Sequence, residues 1–464
     1  MTLESSSLAP SSKQDSLASH YALGVLLIAY ILSFIDRNIM ALLVGPIRED
    51  FNISDFQFSL LHGLAFTLFY IVLGLPIGWL ADRISRKLII SSGILFWSLM
   101  TSLCGLANNF HSLFLTRIGV GVGEASLSPA AYSLLSDLYS EKNLRWATAI
   151  FAMGITIGSG TSYMIGGWLY DTLSAMELSS YPLIGSMAVW QITFVGIGLP
   201  GLVVVVLMLF VSEPRNQESN NTATHSSVKT SPAKSSVTEL GSPDVIPLKD
   251  VIQYLKIHWK AFFSLMGSVS MMAIIGYGTL TWFPEFLVRT YGISKTEAGT
   301  ALGAIFIFAG TLGTFAGAFF CGLLQKRGYT DANLRLIMIA AVTLIIPATV
   351  APLMPTSTLA LTVSAFVIFI HYMHFGVAMA GLQLITPNRM RAQTSALMLF
   401  LTNFFGLALG GTIVASLTDF VFNDDNSLRY SLSVISLVFY PIAAALVAFG
   451  LQSYRKIIAT RTTE

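Results

Sequence analysis

Twelve stretches of this chain are apolar over about twenty residues or more, which is enough for each to cross a bilayer's hydrocarbon layer as a helix. They fall at 21–43, 56–80, 88–107, 111–139, 145–172, 189–212, 259–290, 296–324, 334–354, 357–386, 391–418 and 428–454. Several exceed 25 residues, as tilted helices running past the hydrocarbon do. A chain committed to so many crossings has little room for charge: 11% of its residues are charged and 54% hydrophobic, with a mean hydropathy of +0.70. Soluble domains carry ~25% charged residues, so this is a polytopic membrane protein. Cys104 and Cys321 both lie in apolar stretches and suggest neither a disulfide framework nor a thiolate metal site.

Within the first span, YALGVLLIAYILSFIDRNIMALL, the only charges are the adjacent pair Asp36-Arg37. At about 1.5 Å per residue from Tyr21, the pair sits roughly 22 Å along the helix, still inside the hydrocarbon. A charge there costs at least ~2.5–3.5 kcal/mol unless it is paired or wetted. The pair therefore points to a polar site inside a helical bundle.

The expected organisation is two six-helix bundles. Residues 1–20 form a polar, Ser-rich, disordered tail without an apolar signal region, so the first span itself directs insertion. Bundles at 21–212 and 259–454 flank a polar, flexible linker at 213–247 and an interfacial amphipathic helix at 248–258, and 455–464 form a short tail. Of the 26 Lys and Arg residues, twenty fall on the side shared by both termini and four on the other, while Arg37 and Arg117 stay inside. That asymmetry puts both termini in the cytoplasm, and the expected location is the plasma membrane. The halves repeat: GWLADRISRK follows span two and GLLQKR span eight, 244 residues on, while Arg145 and Arg391 open spans five and eleven, 246 apart. Duplication of this kind marks a two-bundle transporter with its site near the midplane.

Span four carries RIGVGVGEA, in which Arg117 and Glu124 are seven apart and share a helix face. Intramembrane ionisable residues are functional candidates by default, although a salt bridge that only fixes packing is the alternative. Twelve spans in two sixes, with GWLADRISRK between spans two and three, resemble the major facilitator superfamily. Gly78, Leu80, Ala81, Asp82, Arg83, Arg86 and Lys87 meet its signature, and Arg117, Gly121, Gly123 and Ala125 a second one. The resemblance implies an all-α fold of twelve transmembrane helices, in two six-helix bundles with pseudo-two-fold symmetry. It also implies that Asp82 pairs across the bundles to latch the cytoplasmic side, whereas the second half has Lys326 at that place. More narrowly, FIDRNI, RIGVGVGEASLSPAAYSLLSDLY and TWFPEFLVR resemble the spinster-like branch, which includes transporters of sphingolipid phosphates and lysophospholipids. That resemblance implies a protonation network of Asp36, Arg37, Arg117 and Glu124.

Further candidates follow from single residues. His371 and His374, three apart in span ten, share a face, and imidazole suits a proton relay with its unperturbed pKa near ~6.5. A packed neutral pair is the competing reading, and a metal pair lacks a nearby acid or Cys ligand. Tyr163 stands in span five where the antiporter signature has Gly-Pro, and its hydroxyl is either in the cavity or packed. Pro284 is expected to kink span seven near its outer end, with Tyr277 and Trp282 as cavity or gate residues and Glu285 at the outer interface. Asn403 in span eleven is a candidate cavity hydrogen-bonder, and lone His62 in span two reads as structural.

The expected function is secondary active transport, proton-coupled, of a lipid-like or amphipathic organic anion by alternating access. Glu124 would hold a proton while Arg37 is remote and release it as the guanidinium approaches. The rival is a proton-coupled symporter of small organic or sugar acids, of the anion:cation type, which shares the Asp-Arg pair. A transporter-like receptor without coupled flux is the alternative from another class. No Gly-x-x-x-x-Gly-Lys-Ser/Thr loop occurs, and no nucleophile elbow or metal cluster suggests an intramembrane enzyme. Neither cofactor nor metal is expected, nor a nucleic-acid partner. The bilayer, protons and a small anionic substrate are the expected partners of a monomer.

Overall fold

The computed structural model describes residues 16–81, 83–176, 185–213 and 248–462. Asp82, the first fifteen residues, the linker beyond Glu213 and the last two residues therefore lie outside the described residues. Among those described, eleven helices are long and apolar enough to cross a membrane. The first is capped by Ser16, runs Leu17–Asn38 and tightens into a 3-10 turn at Ile39–Leu42, so it begins four residues before the hydropathy signal does. The last runs Leu428–Thr462, so most of the expected tail is helical. Its far end is held by Arg455, 2.6 Å from Asp331, and by Arg461, which donates to the Leu384 carbonyl. The interfacial stretch is a helix at Leu248–Ile257. Pro284 lies within the helix Trp259–Tyr291, which continues through it.

The twelfth crossing, span four, is split into Phe110–Glu124 and Leu127–Leu138. Three glycines in its last helical turns weaken the helix there. They are needed for approach: a Cβ at Gly123 would meet the Trp97 backbone nitrogen at 2.8 Å. Span ten is split in the same way, into Ser357–Tyr372 and His374–Ile385. The second segments begin 247 residues apart, close to the repeat read from sequence. Spans two and eight likewise each carry a π-helical turn, Leu60–Leu64 and Phe306–Gly310, 246 residues apart. Such turns widen the helix locally and recur at functional sites.

Where the bundles meet, ion pairs and hydrogen bonds join them at the midplane and in the half opposite the termini. Asp55, fully buried, accepts from Arg289 at 2.8 and 2.9 Å and pairs with Arg48 at 3.0 Å. Arg48 also reaches Asp425 of the second bundle at 3.0 Å, and Arg289 holds Glu285 at 2.8 Å. Glu285, expected at the interface, is instead buried inside this network. The Phe56 amide donates to Asp419, and the Thr296 amide to Asp171. Backbones pack closely beside these contacts: a Cβ at Gly63 would lie 2.8 Å from the Leu407 carbonyl oxygen.

Breaking one member of a buried ion network leaves its partner charged and unpaired, at about 3–5 kcal/mol. Asp55→Asn is therefore expected to lower the thermal midpoint of the purified protein. Spin-label distances across that end should also shift toward a parted population, whereas an unchanged distribution would mean that packing alone holds the bundles closed.

Candidate functional site

Adjacent residues on a helix point about 100° apart, so Asp36 and Arg37 cannot face the same way. The structure separates them. Arg37 turns to a cavity between the bundles, and Nη2 donates to Glu124 Oε2 at 2.8 Å. Ser33, one turn before Arg37, donates to the same oxygen at 2.7 Å. The guanidinium carbon lies 4.7 Å from the Phe34 and Phe66 ring centroids and 5.0 Å from that of Tyr70. An aromatic cage of this kind favours a cation without forming a second ion pair.

Asp36 turns inward to the first bundle. Its carboxylate accepts from Thr101 Oγ1 at 3.2 Å and forms no ion pair among the described residues. Arg117 is fully buried beside it, donating to the Asp36 backbone carbonyl at 3.4 Å and lying 5.5 Å from the Phe66 ring. The four charges thus form one ion pair, Arg37–Glu124, and one neighbouring pair whose side chains do not bond. Asp36 and Arg37 form no ion pair with each other. Phe66 touches both guanidiniums, and sequence reasoning passed over it because an apolar residue in an apolar span carries no signal. Ser33 could have been found from its i−4 spacing to Arg37.

The cavity measures ≈ 410 Å³. Tyr30, Phe34, Tyr70 and Tyr132 line it from the first bundle, and Tyr277, Phe306, Tyr372 and Met398 from the second. Of the single-residue candidates, Tyr277, His371, His374 and Asn403 are on its wall. Tyr163 and Trp282 are not. The Tyr163 hydroxyl donates across the bundles to the Leu280 carbonyl, and Trp282 donates from Nε1 to the Gly411 carbonyl at 2.8 Å. Both are fully buried, because a large amphipathic side chain whose polar atom finds a backbone acceptor packs without needing a cavity. His62 sits in the π turn of span two, its Nδ1 3.4 Å from Thr281 Oγ1.

His371 Nδ1 lies 3.0 Å from the Tyr440 hydroxyl, and the two imidazoles have centroids 5.0 Å apart. His374 Nδ1 contacts the His371 carbonyl. His371 stands three residues before the second segment of span ten, as Glu124 does in span four. The repeat thus places a titratable group at the same station in each bundle.

The motif between spans two and three binds the first bundle together. Gly78 lies in the span-two helix, and Arg83 is exposed just beyond it. Arg86 pairs with Asp137, its amide donates to Glu213 at 2.8 Å, and Lys87 donates to the Leu209 carbonyl at 2.6 Å. The expected inter-bundle latch rests on Asp82, outside the described residues.

The sequence profile of the Major Facilitator Superfamily matches residues 26–415. The fold, the repeat and this match agree: the chain belongs to the major facilitator superfamily, whose members are membrane transporters rather than enzymes. Within it the chain is spinster-like. A solved bacterial homologue of the human lysosomal transporter spinster, described as inward-facing and unoccupied, superposes with a TM-score of 0.79 at 26% identity, covering 96% of this chain and 99% of that one. The zebrafish (Danio rerio) sphingosine-1-phosphate transporter SPNS2 is 26% identical over 323 residues, 66% of this chain and 57% of the relative. An MFS-type efflux pump of Mycolicibacterium smegmatis is 25% identical over 443 residues, 94% of this chain and 92% of the relative.

Removing Arg37 strands a buried carboxylate. Arg37→Ala is expected to destabilise the protein by about 3–5 kcal/mol, and pairing it with Glu124→Gln should recover most of that loss. Thermal unfolding of the two single variants and the double variant measures the coupling, and additive effects would mean that the ion pair is not a unit.

Proposed function

We propose that the protein is a proton-coupled transporter that moves a lipid-like or amphipathic organic anion by alternating access of its two bundles. One observation carries this reading: Arg37, on the wall of a largely apolar cavity, is held by a single buried carboxylate, Glu124. An arginine in that position can exchange one anion for another. When Glu124 accepts a proton, its hold on Arg37 weakens and the guanidinium becomes available to a substrate headgroup. When the substrate leaves, Arg37 recaptures Glu124 and the proton is released. The aromatic, aliphatic and Met side chains of the cavity wall suit an apolar tail better than a compact hydrophilic acid.

Tyr277 and Asn403 supply hydroxyl and amide contacts from the second bundle, and the His371–Tyr440 pair is a second station for proton movement. Asp36 and Arg117 act behind the wall, positioning the first span. The Lys and Arg asymmetry supports a cytoplasmic terminus-bearing end in the plasma membrane. Inter-bundle ion pairs at the opposite end, and similarity to a structure described as inward-facing, support a cavity poised toward the cytoplasm.

The test is flux in proteoliposomes with lysophospholipids, sphingoid phosphates and sugar acids offered separately. Lipid-like anions should move faster under a pH gradient than without one, and Glu124→Gln should abolish that dependence. Flux indifferent to the gradient, with the variant behaving as wild type, would overturn the coupling; a preference for sugar acids would overturn the substrate class.

A further inference from the structure

A second hollow, of ≈ 510 Å³, lies apart from the transport cavity at the terminus-bearing end, in the elbow between the interfacial helix and span seven. Span twelve closes its other side. Three cations line it: Lys260 from the first turn of span seven, and Lys456 and Arg461 from the end of span twelve. Among the described residues none of the three is ion-paired and no carboxylate is on the wall. His258 stands at the elbow, where partial burial pushes its pKa below the ordinary value.

The elbow is held in place. Tyr254 donates to the Ile385 carbonyl at 2.7 Å, and Arg461 Nη1 donates to the neighbouring Leu384 carbonyl at 2.9 Å, leaving its other N–H groups available. Lys260 Nζ lies 5.8 Å from both the Trp259 and Phe449 ring centroids. Trp259, Ile257, Phe263 and Phe449 are each at least half exposed, so an apolar strip adjoins the cationic hollow. Unpaired cations joined to exposed apolar and aromatic side chains at a helix elbow match a ligand that is anionic at one end and hydrocarbon at the other.

We propose that this hollow binds the headgroup of an anionic phospholipid from the leaflet at the terminus-bearing end, with its acyl chains along Trp259, Phe263 and Phe449. A free phosphate would meet the cations but gain nothing from the strip. Bound lipid would tie the interfacial helix to spans seven and twelve. The site is separate from the cavity and does not depend on the substrate assigned there.

Full-length protein in neutral detergent, titrated with dioleoylphosphatidylglycerol or dioleoylphosphatidylcholine and read by native mass spectrometry, tests it. Wild type should retain phosphatidylglycerol in preference to phosphatidylcholine. Lys260→Ala/Lys456→Ala should weaken that retention about 25-fold, at roughly five-fold per lysine, while Lys260→Arg/Lys456→Arg keeps it. Glycerol 3-phosphate at the same concentration should not compete. Equal retention of the two lipids, an unaffected double-alanine variant, or full competition by glycerol 3-phosphate would each overturn the proposal. So would loss of phosphatidylglycerol in Arg37→Ala with retention in the double-alanine variant, since the lipid would then sit in the cavity.

Discussion

The buried ion pair between Arg37 and Glu124 is the interaction on which the rest of the site depends. Neither charge is stable alone at that depth, because the low dielectric penalises each and a nearby opposite charge offsets the penalty only at close range. The 2.8 Å contact therefore fixes where spans one and four lie relative to each other. Ser33 and the three rings around the guanidinium complete the shell without adding a competing anion. A single carboxylate balancing a single guanidinium is a switchable arrangement, since one proton changes the balance.

The pseudo-symmetry of the bundles explains where the titratable groups stand. Spans four and ten break at matching places, and each presents a titratable side chain three residues before its second segment. A helix break frees backbone groups close to each of these side chains. The two copies have diverged chemically: the first holds a carboxylate against a cation, the second an imidazole against the Tyr440 hydroxyl. Closure at the far end also draws on both bundles, through Arg48, Asp55, Arg289 and Asp425.

Much of the fold was legible because hydropathy acts over twenty residues at a time and is insensitive to any one of them. The split of span four was not legible, because RIGVGVGEA contains no proline, and the close approach of its Gly123 to Trp97 shows only in the packing. Among the site residues, Arg37 and Glu124 stood out as charges where charge is costly. Trp282 and Tyr163 misled for a related reason: a polar atom on a large ring suggests a cavity, yet each is satisfied by a backbone carbonyl in a packed interface. Glu285 was placed by its distance along the helix, which says nothing of the Arg289 one turn away that draws it inward.

The amino-acid sequence by itself determined the number and length of the crossings, the duplicated halves, the charge asymmetry and the four intramembrane charges. These depend on local composition and on spacing along one helix. Only the tertiary structure decided which charges pair. Asp36 and Arg37 are neighbours in the chain yet face different surroundings, and Arg37 finds its partner 87 residues away. The angular step of the helix guarantees that adjacent side chains diverge, while the choice of partner belongs to the packing of spans one and four, which no single segment encodes.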